Sequence, residues 1–216
     1  MKLRDRAYES FRQHLLASNI RPGQFVSQRE LVALTGLSLG AIRDIIPRLE
    51  ADGLIVTLPK RGMQIASLDL KFVRNAFGLR QVLECAAVAA FAAEASEAQV
   101  AGLIAPHREI MHRAETGERS AELLDEAQSV DWAMHETIVD SLGNELISAT
   151  YRVNGIKIRL IRLKQSLLSE DVLMSALTEH ERILSAIAAR DVHGAVLAMQ
   201  DHIVSARMRA LGVAGA

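Results

Sequence analysis

The sequence predicts a mostly α-helical protein in two parts: a small N-terminal domain of three helices and a β-hairpin, then an all-α bundle of about six helices. Three observations carry this expectation. Apolar residues recur at helical spacing through most of the 216 residues. Strand-like runs rich in β-branched residues occur only between Leu54 and Ala66. Breaker clusters then divide the remainder into pieces of helix length. Composition agrees, with half the residues apolar and 4% aromatic, which fits a globular chain and excludes a disordered or fibrous one. The single cysteine, Cys85, cannot form an intrachain disulfide, and the N-terminus is charged rather than an apolar signal region. The apolar stretch from Val82 to Ala93 is interrupted by Glu84 and is short for a bilayer span, so a cytoplasmic location and no membrane partner are expected.

The first helix follows from Ala7, Tyr8, Phe11, Leu15 and Leu16, which share one face, and it ends in Ser18-Asn19-Ile20-Arg21-Pro22-Gly23. Ser27 stands three residues before Glu30, the spacing of a capping box, and starts a second helix from Gln28 to Leu34. Thr35-Gly36-Leu37 makes a tight turn, after which Ser38 can cap a third helix that Gly53 stops. Pro47 lies inside that helix and removes one backbone bond. Leu54 to Leu58 and Met63 to Ala66, joined by Pro59-Lys60-Arg61-Gly62, read as a hairpin. In that order these elements make a winged helix-turn-helix over residues 1–66. A linker is expected at 67–71. The bundle is expected at 72–216, with breaks at Ser96, Gly117 to Ser120, Gly143-Asn144, Ser169 and Asp191.

Charge divides with the elements. Residues 1–66 carry 10 Lys and Arg against 6 Asp and Glu, while the rest carry 15 against 20, the asymmetry of a nucleic-acid-binding module on a non-binding partner. In a helix-turn-helix the start of the second motif helix enters the major groove and the preceding helix crosses the backbone. Ser38 can then donate to a phosphate, Arg43 suits a phosphate or the guanine edge, and Arg29 can reach the same groove. Lys60, Arg61 and Gly62 put two cations and a flexible residue on a projecting tip suited to the minor groove or phosphates.

The stretch from Val26 to Ala66 resembles the N-terminal domain of GntR-type regulators, with the likeness covering about residues 5–66. It is carried by Pro22-Gly23, Ser27-x-Arg29-Glu30-Leu31, Arg43, Arg48 to Leu54, and Arg61-Gly62. The resemblance implies that Arg29, Ser38, Arg43, Arg61 and Gly62 lie at double-stranded operator DNA. It also shows a departure: where the family usually has an arginine after the capping residue, this chain has Leu39, so its operator or affinity should differ from the family's norm.

Six of the seven histidines lie in the second part. Asp131 and His135 are four apart and share one face of a helix. His180 and His202 fall on the last two helices, and antiparallel packing around Ala189-Arg190-Asp191 lets both imidazoles meet one interior point. Three imidazoles and a carboxylate suit zinc, nickel or a similar divalent ion, with positions left for water or a ligand oxygen. His14, His107, His112 and His193 have no such context and are read as ordinary side chains. This half resembles the helical FCD-type ligand-binding domain of the FadR-like branch, closest to its shorter VanR-like group, through Leu79-Arg80-x-x-Leu83-Glu84, Asp131-x-x-x-His135, Gly143-Asn144 and the segments around His180 and His202. The resemblance implies a small carboxylate effector held beside the ion, with Arg80 pairing to it and Asn144 at the effector site. It further implies a homodimer whose DNA affinity the effector modulates.

The rival expectation is a metal-dependent hydrolase on a helical scaffold, since an open Asp/His3 site can activate water. His135-Glu136 is followed by Thr137-Ile138-Val139, so the zincin HExxH pattern fails, and the sequence favours a regulator without enzymatic activity.

Overall fold

A computed structural model describes residues 2–164 and 170–212. The chain falls into two compact units, one from Met1–Val73 and Gly155–Lys164, the other from Arg74–Asn154 and Gln165–Ala216.

The first unit contains α1 (Leu3–Leu16), β1 (Phe25–Val26), α2 (Gln28–Thr35), α3 (Leu39–Ala51), β2 (Ile55–Leu58) and β3 (Gly62–Ile65). Local chemistry sets the helix ends. The Ser27 hydroxyl accepts from Glu30 N at 3.1 Å while the Glu30 carboxylate accepts from Ser27 N at 2.6 Å, closing the capping box that starts α2. Gly36 ends α2 with φ +67°, and Ser38 Oγ accepts from Ala41 N at 3.2 Å to start α3, which continues through Pro47. The strands form an antiparallel sheet in the order β1-β3-β2, pairing Val26 with Met63 and Thr57 with Met63. Sequence reading expects only the hairpin; β1 is two residues long, too short to show alternation, and exists because β3 offers it a second edge.

Phe11, Leu15, Leu31, Ile42, Ile45, Leu49 and Ile65 are buried together in this unit, and Ile156 and Leu160 join them. Those two come from α7 (Glu145–Lys164), whose last ten residues belong to this unit although the sequence suggests a division between residues 66 and 72. The grouping follows from burial: two apolar side chains removed from water contribute roughly 1.5–3 kcal/mol each wherever they lie in the sequence.

The second unit contains the body of α4 (Leu70–Glu94), α5 (Glu97–Glu115), α6 (Ala121–Asp140), the first ten residues of α7, α8 (Glu170–Ala188) and α9 (Val192–Ala210). Ser96, Ser120 and Asp191 accept backbone N–H groups as N-caps of α5, α6 and α9. The break expected at Ser169 lies outside the described residues. Ile110, Leu123, Ala127, Leu173 and Leu177 form a core where α5, α6 and α8 meet. By length and composition alone α4 is apolar enough to cross a membrane, which the interruption at Glu84 argues against. Its Ala87, Val88, Phe91 and Ala92 are buried, and so are its charged Arg80 and Glu84, as in the core helix of a bundle.

Candidate functional site

The second unit gathers Asp131 and His135 from α6, His180 from α8 and His202 from α9, all buried, so that one ligand atom from each lies within 4.8 Å of all the others. The i,i+4 spacing places the first two on one face. The tight α8–α9 connection, with Arg190 at φ +60° and Asp191 capping α9, brings the other two to the same point. His180 Nε2 lies 3.3 Å from Asp131 Oδ1, and the rings of His135 and His202 stack with centroids 5.1 Å apart. Among the described residues neither nitrogen of His180 has a hydrogen-bond partner, although both are buried.

A second layer surrounds these four. Glu84 Oε2 lies 2.8 Å from His135 Nδ1, and Glu179 Oε2 accepts from His202 Nδ1 at 2.8 Å. Arg209 clamps Glu179 with contacts of 2.7 and 2.9 Å, and the Tyr151 hydroxyl donates to Glu84 at 2.7 Å. Carboxylates facing Nδ1 put the ring proton there and leave Nε2 as the lone pair available to an ion. Burial lowers the His202 pKa to about 3 against the pull of Glu179, and burial likewise lowers that of His135, so both rings are neutral and competent as ligands near pH 7. Burial pushes Glu84 upward, but Arg80 and His135 more than offset it and hold the carboxylate well below its usual range. Glu179 behaves likewise, held at about 2 by Arg209 and His202 in spite of its burial. The donor set therefore fits a divalent cation on its chemistry: neutral imidazoles, a carboxylate, oriented tautomers and, in His180, an imidazole whose nitrogens make no hydrogen bond among the described residues.

Arg80 belongs to this group. Its Nε donates to Glu84 Oε1 at 2.6 Å, and its Nη2 reaches His135 Nε2 at 2.8 Å and His202 Nε2 at 3.4 Å. The side chain of Asn144 is exposed, and its Oδ1 accepts from Leu146 N and Ile147 N at 3.0 and 3.2 Å, starting α7. Sequence reasoning passed over His107, which is buried on α5 with its ring 5.2 Å from that of His180. Its Nδ1 meets the Leu103 carbonyl at 2.8 Å, and its Nε2 has no partner among the described residues. No spacing to another ligand marks it. By contrast, opposite charges at Arg80 and Glu84, four apart in an apolar run, were a legible sign of a buried pair.

The six residues expected at DNA lie in the first unit at exposed positions: Arg29 in the first turn of α2, Ser38 at the N-cap of α3, Arg43 one turn into it, Lys60 and Arg61 between β2 and β3, and Gly62 at the start of β3. Arg43 Nε donates to Gln28 Oε1 at 3.0 Å, and the Arg61 guanidinium lies 5.0 Å from the Phe25 ring centre. Ser38 Oγ serves as acceptor for its helix, which leaves its own O–H free to donate outward. Arg61 N donates to Leu58 O at 3.1 Å, closing a turn with Pro59 and Lys60 at its centre; Lys60 has φ +61°, a conformation that favours glycine. Gly62 has φ +86°, and a Cβ there would lie 3.2 Å from the Val26 carbonyl oxygen. Leu39 is exposed beside Ser38, in place of the arginine that the resemblance suggests.

Both parts of the chain match known families: the FCD domain over residues 75–205, and bacterial regulatory proteins of the gntR family over residues 3–65. The HTH-type transcriptional repressor GlaR of Escherichia coli strain K12 is 23% identical over 201 residues, covering 92% of this chain and 91% of its own. An HTH-type transcriptional regulator in an unstable DNA locus of Streptomyces ambofaciens is 29% identical over 197 residues, covering 91% of this chain and 80% of its own. The solved structure of E. coli McbR/YncC shares the fold, with a TM-score of 0.74, 15% identity and 98% of each chain covered. These families and relatives are regulators rather than enzymes, and the hydrolase alternative has no support. The chain belongs to the gntR family of bacterial regulatory proteins, in the group that carries an FCD domain, and is a transcriptional regulator.

Proposed function

We propose that this regulator binds a pseudo-palindromic operator as a cytoplasmic homodimer, and that a small carboxylate metabolite held at a divalent metal site modulates its DNA affinity. Residues 1–66 read the duplex through Arg29, Ser38, Arg43, Lys60, Arg61 and Gly62, residues 67–71 connect, and residues 72–216 hold the effector and the dimer contact. Asp131, His135, His180 and His202 hold the ion, for which zinc suits the three imidazoles and one carboxylate, with nickel as the nearest substitute. The ion supplies a Lewis-acidic centre for one carboxylate oxygen, while the Arg80 guanidinium offers two donors and Asn144 borders the effector site. Only an effector with unequal affinity for the two arrangements of the DNA-binding heads shifts the equilibrium between them.

One observation carries this reading: four buried donors lie within 4.8 Å of one another in the domain that the FCD family matches. Elemental analysis of the protein purified without chelator, with mass spectrometry of co-purified small molecules, tests the sensing half. About one divalent ion per chain, lost in His180→Ala with the fold intact, is expected; a wild-type protein with no metal after zinc addition defeats it. Anisotropy titrations against the protein's own promoter test the DNA half. Salt-sensitive specific binding is expected, and no preference over random duplex defeats it.

A further inference from the structure

We propose that Arg80 is an internal competitor for the metal centre: it donates into the imidazole lone pairs that an ion needs, and becomes a free anion-binding donor only after the ion displaces it. The inference rests on the metal site proposed above. A guanidinium has N–H donors and no acceptor, so His135 Nε2, 2.8 Å from Arg80 Nη2, must present its lone pair to that nitrogen. The same follows for His202 Nε2 at 3.4 Å, because Glu179 accepts the proton that His202 carries on Nδ1. Each neutral imidazole has one such lone pair, and it cannot serve both Arg80 and an ion.

Arg80 is also well anchored for a hand-over. Its Nε–Glu84 contact of 2.6 Å and the Tyr151–Glu84 hydrogen bond of 2.7 Å do not involve Nη2, and because the guanidinium is planar, binding of an ion requires the whole fork to swing about its Glu84 contact and carry Nη2 off the imidazoles. The positive charge stays beside the site. That charge opposes a divalent cation while the freed N–H groups, buried and without the imidazoles, need a new acceptor. A carboxylate bound beside the ion satisfies both conditions. Metal entry is thus the step that creates the anion site, and binding is ordered, ion before anion.

Two measurements on the full-length protein test this. Zinc affinity is read by competition with a chromophoric chelator for wild type, Arg80→Met and Arg80→Leu, which leave Glu84 in place, folding being checked by circular dichroism. Variants that bind zinc roughly ten- to a hundredfold more tightly are expected from the lost competing bonds. Folded variants that bind zinc no more tightly than wild type overturn the competition. The second measurement needs no variant: calorimetric titration of wild type with acetate should detect binding to zinc-loaded but not to chelator-treated protein. Equal acetate binding to both overturns the ordered hand-over. If wild type and variants alike fail to take up zinc, the metal site itself is wrong and this inference goes with it, whereas zinc uptake without tightening removes this inference alone.

Discussion

The exposed cations of the first unit and the buried cluster of the second treat charge in opposite ways. Arg29, Arg43, Lys60 and Arg61 face solvent, and the contacts seen for two of them, Arg43 on Gln28 and Arg61 on Phe25, are peripheral. Arg80, Glu84, His135 and His202 are buried, and each touches at least two other polar groups. Water stabilises a charge without protein partners, so a face that meets an external polyanion can hold its cations in reserve. A site closed to water has no such freedom, and its recognition residues are also structural ones. Substitutions on the first surface should therefore change binding and leave stability alone, whereas those in the cluster should change both.

The largest effect expected from this contrast is Glu84→Ala, which strands the buried Arg80 charge and the Tyr151 hydroxyl. Urea denaturation should show a loss of about 3–5 kcal/mol; a loss under 1 kcal/mol would mean that the cluster is wet and the contrast false. Acid comes next. The His107 pKa is lowered to about 4 by burial, and then by its neighbour His180, whereas an unfolded histidine titrates near 6.5. Between those values the unfolded chain binds more protons, so stability is full above pH 6.5, falls as pH drops and is lost by about pH 4. With chelator present, His107 should account for a loss on the order of 3 kcal/mol beside those of His135 and His202, whose pKa values burial also lowers, and His107→Phe should remove its own part of the pH dependence. Glu179, held at about 2, loses its contribution only below the ordinary carboxylate range, so the two windows separate.

On the exposed side, Arg43→Ala should leave the unfolding free energy within about 0.5 kcal/mol. It should weaken operator binding by about 1–3 kcal/mol if Arg43 reads a base, or reduce the salt slope by about 1 if it meets a phosphate. A large loss of stability would blur the distinction between the two regions. The smallest effect is at the wing tip: Lys60→Gly relieves a positive φ and should stabilise the protein by up to about 1 kcal/mol while weakening DNA binding. The gain belongs to the backbone at this one position and the loss of binding to the charge, so the two assays should move in opposite directions.

What could be read in advance follows the same division. Helix ends, the wing turn and the Asp131–His135 face are set by neighbours within a few residues, so spacing reveals them. The contacts of Glu84 with Tyr151, of Glu179 with His202 and of His107 with His180 join residues 67, 23 and 73 positions apart, and nothing local announces them. Asn144 shows the converse: a residue whose family likeness suggests effector binding has its side-chain oxygen engaged in starting a helix.

The α7 helix carries one more lesson, for anyone who would transplant the DNA-reading head. Ile156 and Leu160 complete its hydrophobic interior from nearly a hundred residues away in the sequence. A fragment cut at Ala66 would face water across the gap they leave, forgoing roughly 1.5–3 kcal/mol for each missing side chain. Heads swapped between such regulators at that boundary should melt early unless the matching stretch of helix travels with them, and a chimaera carrying residues 155–164 of the donor should recover the difference.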